Sequence, residues 1–303
     1  MEENRASITS VVTAFSRAYH AAYDSPKIFD DYLAIRLFAE EESKYLEYNM
    51  AESLKFLDPE LAASCPDQAS ALKLAMRFNA PTTLSRSRYT EDIVENLVNQ
   101  GFRQYVILGA GLDTFAFRHP DIAEKIRIFE VDHPASQAQK KERLNNAGLV
   151  PGTQHYFLPV DFTKASLAEA LGASAFNPRE PSIFSWLGVT FYLTHEVVMD
   201  TLRTISEISS SGSMVIFDFM NKEAFIPGKA SKQSKKIQEI VKTAGEPMQT
   251  GLDIDRLSAG LDEAGLFLKE MLRPDEIEAR YFKDRSDGYH ASEHIHFAYA
   301  VVK

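Results

Sequence analysis

The sequence predicts an α/β fold: a mostly parallel sheet with helices on both faces, behind an N-terminal helical cap. Three observations carry this. Residues 1–98 read as helices, short apolar runs alternate with helical stretches from residue 104 onward, and the first of those runs ends in a glycine-rich turn.

In the cap, Ile8, Val11, Val12 and Phe15 recur at the spacing of a helix with one buried face. Pro26, Pro59, Pro66 and Pro81 punctuate this part into several helices. Thr90–Gln100 reads as another helix, with Gly101 just past its end as a left-handed cap. The aromatics Phe15, Tyr19, Tyr23, Phe29 and Tyr32 read mainly as core, with a share in lining a pocket.

The strand candidates follow in order: Gln104–Leu108, Ile126–Val131, His155–Val160, Ser182–Leu187 and Ser213–Phe219. Helical stretches at Ala135–Ala147, Ser166–Leu171 and Glu196–Ile208 separate them, which is the pattern of parallel strands with crossover helices. Asp255–Ala264 reads as a helix with an Asp N-cap, closed by Gly265. Phe267–Leu272 and His294–Val302 then read as a final antiparallel pair, for seven strands in all. Asn221–Lys232, with Pro227 and Gly228, is placed to act as a lid, and Lys229–Lys236 reads as a solvated basic face. The expected division is a cap over residues 1–98 and a Rossmann-like core over 99–303.

Composition narrows the function. Of 303 residues, 45% are hydrophobic and 25% charged, enough to bury a sizeable core. A formal net charge of -10 disfavours a nucleic-acid partner. Cys65 is the single cysteine, so the chain forms no internal disulfide, in keeping with a reducing compartment. The first residues carry no signal-peptide pattern, and no run approaches the roughly 18 apolar residues of a membrane span. The expectation is a soluble, cytoplasmic protein.

The most informative segment is Val106–Arg118, VILGAGLDTFAFR. A strand ends at Leu108, and Gly109-Ala110-Gly111 makes a turn where missing side chains let a ligand approach the backbone. A helix starting near Asp113 or Thr114 would aim its first amides at that ligand. Asp132 lies 21 residues after Gly111 at the end of the second strand, where a carboxylate can accept both ribose hydroxyls; Glu130 is its rival. Thr114 stands where a dinucleotide fingerprint wants a third Gly or Ala, which argues against NAD. Asp161-Phe162, after the third strand, offers an acceptor for an adenine amino group and a ring to pack on the base, with a helix N-cap as the other reading of Asp161.

Taken together, Ser85-Arg86-Ser87-Arg88-Tyr89, Leu108–Thr114 (LGAGLDT), Phe129–Pro134 (FEVDHP), Val160-Asp161-Phe162 and Trp186–Leu193 (WLGVTFYL) resemble the leucine carboxyl methyltransferase family of class I methyltransferases, especially its bacterial O-methyltransferase branch. The resemblance runs from about Phe15 to the C-terminus. It implies S-adenosyl-L-methionine as cofactor and S-adenosyl-L-homocysteine as product. It implies that Arg86 holds the carboxylate of the methionine part, that Gly109, Ala110 and Gly111 line methionine and ribose, that Asp132 takes the ribose hydroxyls, and that Asp161 and Phe162 bind adenine. Leu187 also lines this site, at a position where family members often carry an acidic residue; the contact of that carboxylate is lost here or supplied by another group.

Methyl transfer needs donor and nucleophile aligned, and a hydroxyl acceptor gains from a base where a carboxylate does not. Tyr192, after the fourth strand, His290 and, less favoured, His294 are the candidate bases or orienting groups. His294 and His296 read as structural, and with His290 and Glu293 they complete no metal site, so no metal is expected. The resulting expectation is an O-methyltransferase acting on a carboxylate or hydroxyl of a small molecule, such as a polyketide-like or other secondary metabolite. The alternatives are a protein or peptide carboxyl methyltransferase, an NAD-linked oxidoreductase and a non-catalytic nucleotide-binding protein. The oligomeric state is left open.

Overall fold

The computed structural model describes residues 7–161 and 165–303. Among the described residues five α-helices precede the first strand: α1 (Ile8–Tyr23), α2 (Glu40–Leu57), α3 (Pro59–Ala63), α4 (Gln68–Asn79) and α5 (Pro81–Asn99). Ser7, Asp58 and Asp67 cap α1, α3 and α4 by accepting backbone amides, which is why each starts where it does. Helix α5 is longer than the expected Thr90–Gln100. Pro81, read as a break, is its first residue, where the missing N–H leaves no bond unmade. The Ser85–Tyr89 motif therefore lies on a helix.

The strands are β1 (Gln104–Leu108), β2 (Arg127–Asp132), β3 (His155–Pro159), β4 (Ser182–Trp186), β5 (Met214–Met220), β6 (Leu266–Leu272) and β7 (Ile295–Val302). They form one seven-stranded sheet in the order β3-β2-β1-β4-β5-β7-β6. β1 to β5 are parallel, and β7 runs antiparallel to both β5 and β6. The class I Rossmann-like arrangement expected from the sequence is therefore present.

The remaining helices are α6 (Phe115–Arg118), α7 (Pro120–Ala123), α8 (Pro134–Asn146), α9 (Leu167–Gly172), α10 (His195–Ile208), α11 (Lys232–Thr243), α12 (Ile254–Glu263) and α13 (Pro274–Ile277). Asp253, not Asp255, caps α12; Asp255 sits in its first turn. The basic run Lys229–Lys236 enters α11, where Lys229 pairs with Glu223 and Lys236 Nζ donates to the Leu57 carbonyl.

Alternate residues of each strand feed opposite faces. Tyr105, Ile107, Ile128, Ile183 and Ile216 pack with Phe15, Leu84 and Leu97 of the cap. Val106, Leu108, Phe129, Phe184 and Phe217 pack with Leu202 of α10 and Leu257 and Leu261 of α12. β1 and β4 are buried along their whole length, which suits their largely apolar sequences. Of the cap aromatics, Phe15, Tyr19 and Phe29 are core, whereas Tyr23 and Tyr32 are exposed.

From β1 the chain steps outward through β2 to β3 and then crosses back to β4 on the other side of β1. The carboxyl ends of β1 and β4 flank this reversal, where open α/β sheets form a ligand crevice.

Candidate cofactor site

Leu108 ends β1, and the chain turns at once. Gly109 has φ +67° and Gly111 φ +49°, in the left-handed region that favours glycine. The amides of Gly109 and Ala110 both donate to the Val131 carbonyl, at 2.8 and 3.3 Å, which folds the turn against the end of β2. A Cβ at position 109 would lie 2.5 Å from Val189 Cγ2, so the turn and the segment after β4 meet backbone to side chain.

Asp132, the last residue of β2, accepts the Gly111 amide on Oδ2 at 2.5 Å and the His133 amide on Oδ1 at 2.6 Å. An ionised carboxylate has about four acceptor positions, so each oxygen keeps capacity for one ribose hydroxyl. Burial pushes its carboxyl above the usual range, against the pull of the two amides and of Lys140. Glu130 has a different fate. Its carboxylate is fully buried between Lys140 Nζ and His155 Nε2, the latter at 2.8 Å. Burial alone would raise it, but Lys140 and His155 outweigh that and hold it low. Glu130 is thus occupied inside the sheet, and Asp132 is the carboxylate beside the turn.

Arg86 reaches the same region from α5. Its Nη1 donates to Asp218 Oδ2 at 2.9 Å, and Asp218 Oδ1 accepts the Gly188 amide at 2.6 Å. Gly188 has φ +71°, and a Cβ there would lie 2.8 Å from Arg86 Cζ, so the guanidinium rests directly on the turn after β4. Leu187, half-buried, opens that turn. A carboxylate does reach this turn, from β5 rather than from position 187. Asp218 went unnoticed in the sequence because it sits inside the apolar run MVIFDFM; the available signal was that a charge in a strand buried on both faces needs a partner.

α1 roofs the glycine turn. Ser10 stands against Gly111, where an added Cβ would approach Ser10 Cβ to 3.1 Å. Arg17 Nη2 donates to the Leu112 carbonyl at 2.8 Å while Nε holds Asp31 at 2.9 Å, and Asp31 in turn accepts Thr114 Oγ1 at 2.6 Å. Thr114 is thus committed to the cap. The helix expected near it is the single turn α6, whose first amide, from Phe115, is bonded to Asp113 Oδ1 at 2.7 Å. That amide is not aimed at a ligand, and so short a helix contributes little dipole.

Glu246, in the loop after α11, pins the start of α1. It accepts the Ile8 amide at 2.9 Å, the Thr9 amide at 3.2 Å and Thr9 Oγ1 at 2.5 Å. Tyr192, in the 3₁₀ turn Thr190–Tyr192, has its hydroxyl beside Thr9, with Glu246, Arg86 and Asp218 close enough to act on its charge. Burial above all pushes this phenol up to about 12. Tyr192 is legible in the sequence from its place after β4; Thr9 and Glu246 carry no local signal.

The other expected residues fall as follows. Asp161 is half-buried after β3, and its carbonyl accepts the Ala165 amide; Phe162 lies outside the described residues. His290 is largely exposed, with Nδ1 2.9 Å from Glu278 Oε1, and none of its described contacts joins it to the glycine turn. His294 is buried, with Nδ1 against Asn221 Oδ1 at 3.0 Å and Nε2 accepting the Ser231 amide at 3.0 Å. It ties both ends of the segment read as a lid to the start of β7. His296 stacks on Phe219, and burial pulls its imidazole down to about 4. Among the described residues, no group of three or more His, Cys, Asp or Glu side chains is arranged to hold a metal ion.

The leucine carboxyl methyltransferase family profile matches residues 10–206, a span that holds most of α1, Arg86, the glycine turn, Asp132 and Tyr192. The chain belongs to this family. A relative from Bacillus subtilis, YktD, named provisionally as an S-adenosyl-L-methionine-dependent methyltransferase, is 37% identical over 306 residues covering 100% of both chains. A similarly named Mycolicibacterium paratuberculosis protein is 29% identical over 77% of this chain and 72% of its own. A solved structure of a DUF574 family protein from Streptomyces avermitilis shares the fold, with a TM-score of 0.59 at 13% identity over 96% of this chain and 97% of that one. The protein is an S-adenosyl-L-methionine-dependent methyltransferase, and the residues present fit that cofactor. The turn has no room for a side chain at Gly109, Asp132 is a half-buried carboxylate with acceptor capacity left, and Arg86 is held by one nitrogen with the rest of its fork in place. Among the described residues no helix is long and apolar enough to cross a membrane.

Proposed function

We propose that this family member methylates an oxygen, of a carboxylate or a hydroxyl, on a small molecule. S-adenosylmethionine, when bound, supplies a methyl carbon already activated by its sulfonium. In this reading Arg86 binds the methionine carboxylate, Asp132 accepts the ribose hydroxyls, Gly109, Ala110 and Gly111 line the nucleoside backbone to backbone, Asp161 and Phe162 contact adenine, and Leu187 gives the crevice an apolar wall.

The observation that carries the acceptor reading is Tyr192 under the pinned end of α1. With its phenol pushed up to about 12, chiefly by burial, Tyr192 stays protonated near neutral pH. It is therefore a hydrogen-bond donor that orients an acceptor oxygen, rather than a base that deprotonates one. The Glu246 clamp on α1 makes this a roofed site, which suits a small acceptor better than a folded protein's chain end. His290, exposed and paired with Glu278, has the weaker claim to an acceptor contact. The second reading, a peptide carboxyl group, draws on the family's name alone.

Incubation with methyl-labelled cofactor and parallel panels of small carboxylic acids, phenols and C-terminal peptides tests this. Label in a small-molecule ester (released by alkali) or ether (alkali-stable) is the expected result; label confined to peptides, or to nitrogen or carbon, overturns the reading. With the active acceptor, Tyr192→Phe should lower kcat about tenfold, the worth of one hydrogen bond at the reacting oxygen. Affinity for S-adenosylhomocysteine should stay as it is. An unchanged kcat would remove Tyr192 from the reaction.

A further inference from the structure

We infer that Asp218 is a positioning residue for the cofactor's carboxylate, acting through Arg86; this rests on the reading of Arg86 given above. Asp218 lies on β5, next to the strand whose end forms the crevice, and its side chain is fully buried. An isolated carboxylate there would be costly, and this one spends both oxygens on the site. Oδ1 fixes the Gly188 amide at 2.6 Å and Oδ2 fixes Arg86 Nη1 at 2.9 Å. Thr190 Oγ1 donates to the Asp218 backbone carbonyl at 2.7 Å, so the turn is tied to β5 on both sides of Val189.

One buried group thus sets where the turn after β4 lies and where the guanidinium lies on it. Gly188 makes the contact possible, because any side chain there would displace Arg86. A free arginine loses rotamer entropy on being fixed, and Asp218 fixes it before ligand arrives. The bond is end-on through a single nitrogen, and Asp218 is the guanidinium's hydrogen-bond partner among the described residues. The rest of the planar fork, four of its five N–H donors, remains for a second carboxylate.

The test compares two nucleosides by calorimetry: S-adenosylhomocysteine and 5′-methylthioadenosine, which keeps the nucleoside and sulfur but lacks the amino-acid carboxylate. Asp218→Asn should weaken S-adenosylhomocysteine about ten- to hundredfold, the range for a hydrogen bond to a charged group, and leave methylthioadenosine unchanged. Added to Arg86→Ala, it should cause no further loss. Equal weakening of both nucleosides, unchanged affinity for S-adenosylhomocysteine, or additive losses in the double variant would each overturn the inference. Should Asp218→Asn fail to fold, Asp218→Glu, which moves the charge by one methylene, is expected to show the same selective loss, and an equal loss of both ligands would again overturn it. If Arg86→Ala alone binds S-adenosylhomocysteine like the unaltered protein, the Arg86 reading itself fails and the inference with it. If Arg86→Ala loses it and Asp218→Asn does not, the inference alone fails.

Discussion

Two acidic side chains separated by one residue on β2 have opposite fates, and the difference is their neighbours. Glu130 points among Lys140 and His155 and is neutralised inside the sheet, while Asp132 is met by backbone amides at the strand end. A neutral amide compensates buried charge less than a cation does, so burial dominates and the Asp132 carboxyl is raised. The sign follows. A raised carboxyl holds its proton at pH values where an ordinary aspartate, near ~3.9, has lost it, and folded-state stability falls as pH rises through the raised value. Ribose hydroxyls need the ionised form. Affinity for S-adenosylhomocysteine should therefore fall, as pH is lowered, at a higher pH than an ordinary carboxylate would give, and the thermal stabilisation by this ligand should grow as pH rises through the same region. Asp132→Asn should bind more weakly and lose this acid limb; a variant that binds as tightly, with the limb intact, would remove Asp132 from the ribose site. The choice of Asp132 over Glu130 was open in the sequence, because strand alternation puts both on one face and only Lys140 and His155 separate them.

At the scale of elements, the site is assembled by α1 and α5 closing over strand ends. The strands and the turn after β1 were legible in the sequence because apolar runs and glycines are local signals. The start of α5 was not, since proline breaks a helix interior but opens a first turn. The seat of α1 was not legible either, because it depends on Glu246, which is 237 to 239 positions away from the residues it holds. That carboxylate satisfies amides that a free helix end leaves unpaired and opposes the positive end of the helix. Glu246→Ala should free the start of α1, seen as faster hydrogen exchange in the first turn and a few-fold weaker S-adenosylhomocysteine binding, with the sheet's protection unchanged. Unchanged exchange there would show that α1 is held by its Arg17 and Phe15 contacts instead.

At the scale of the molecule, the order β3-β2-β1-β4-β5-β7-β6 brings residues from four distant stretches to one crevice: Arg86, Gly109–Gly111, Asp132 and the Gly188 turn backed by Asp218. Four of the five sequence motifs mark these four places. Asp218 was hidden because its role exists only once β4 and β5 are paired. The acceptor has no such code: Thr9 and Glu246, the groups beside Tyr192, come from distant parts of the chain and carry no motif. The central claim is that this crevice is built for S-adenosylmethionine. The most direct test is a calorimetric titration of the purified protein with S-adenosylhomocysteine beside NAD, repeated with Arg86→Ala. The account predicts saturable binding of the homocysteine nucleoside at micromolar concentration, on the order of -8 kcal/mol, no binding of NAD, and at least about tenfold loss in Arg86→Ala. Binding of NAD in its place, or full affinity in Arg86→Ala, would contradict it.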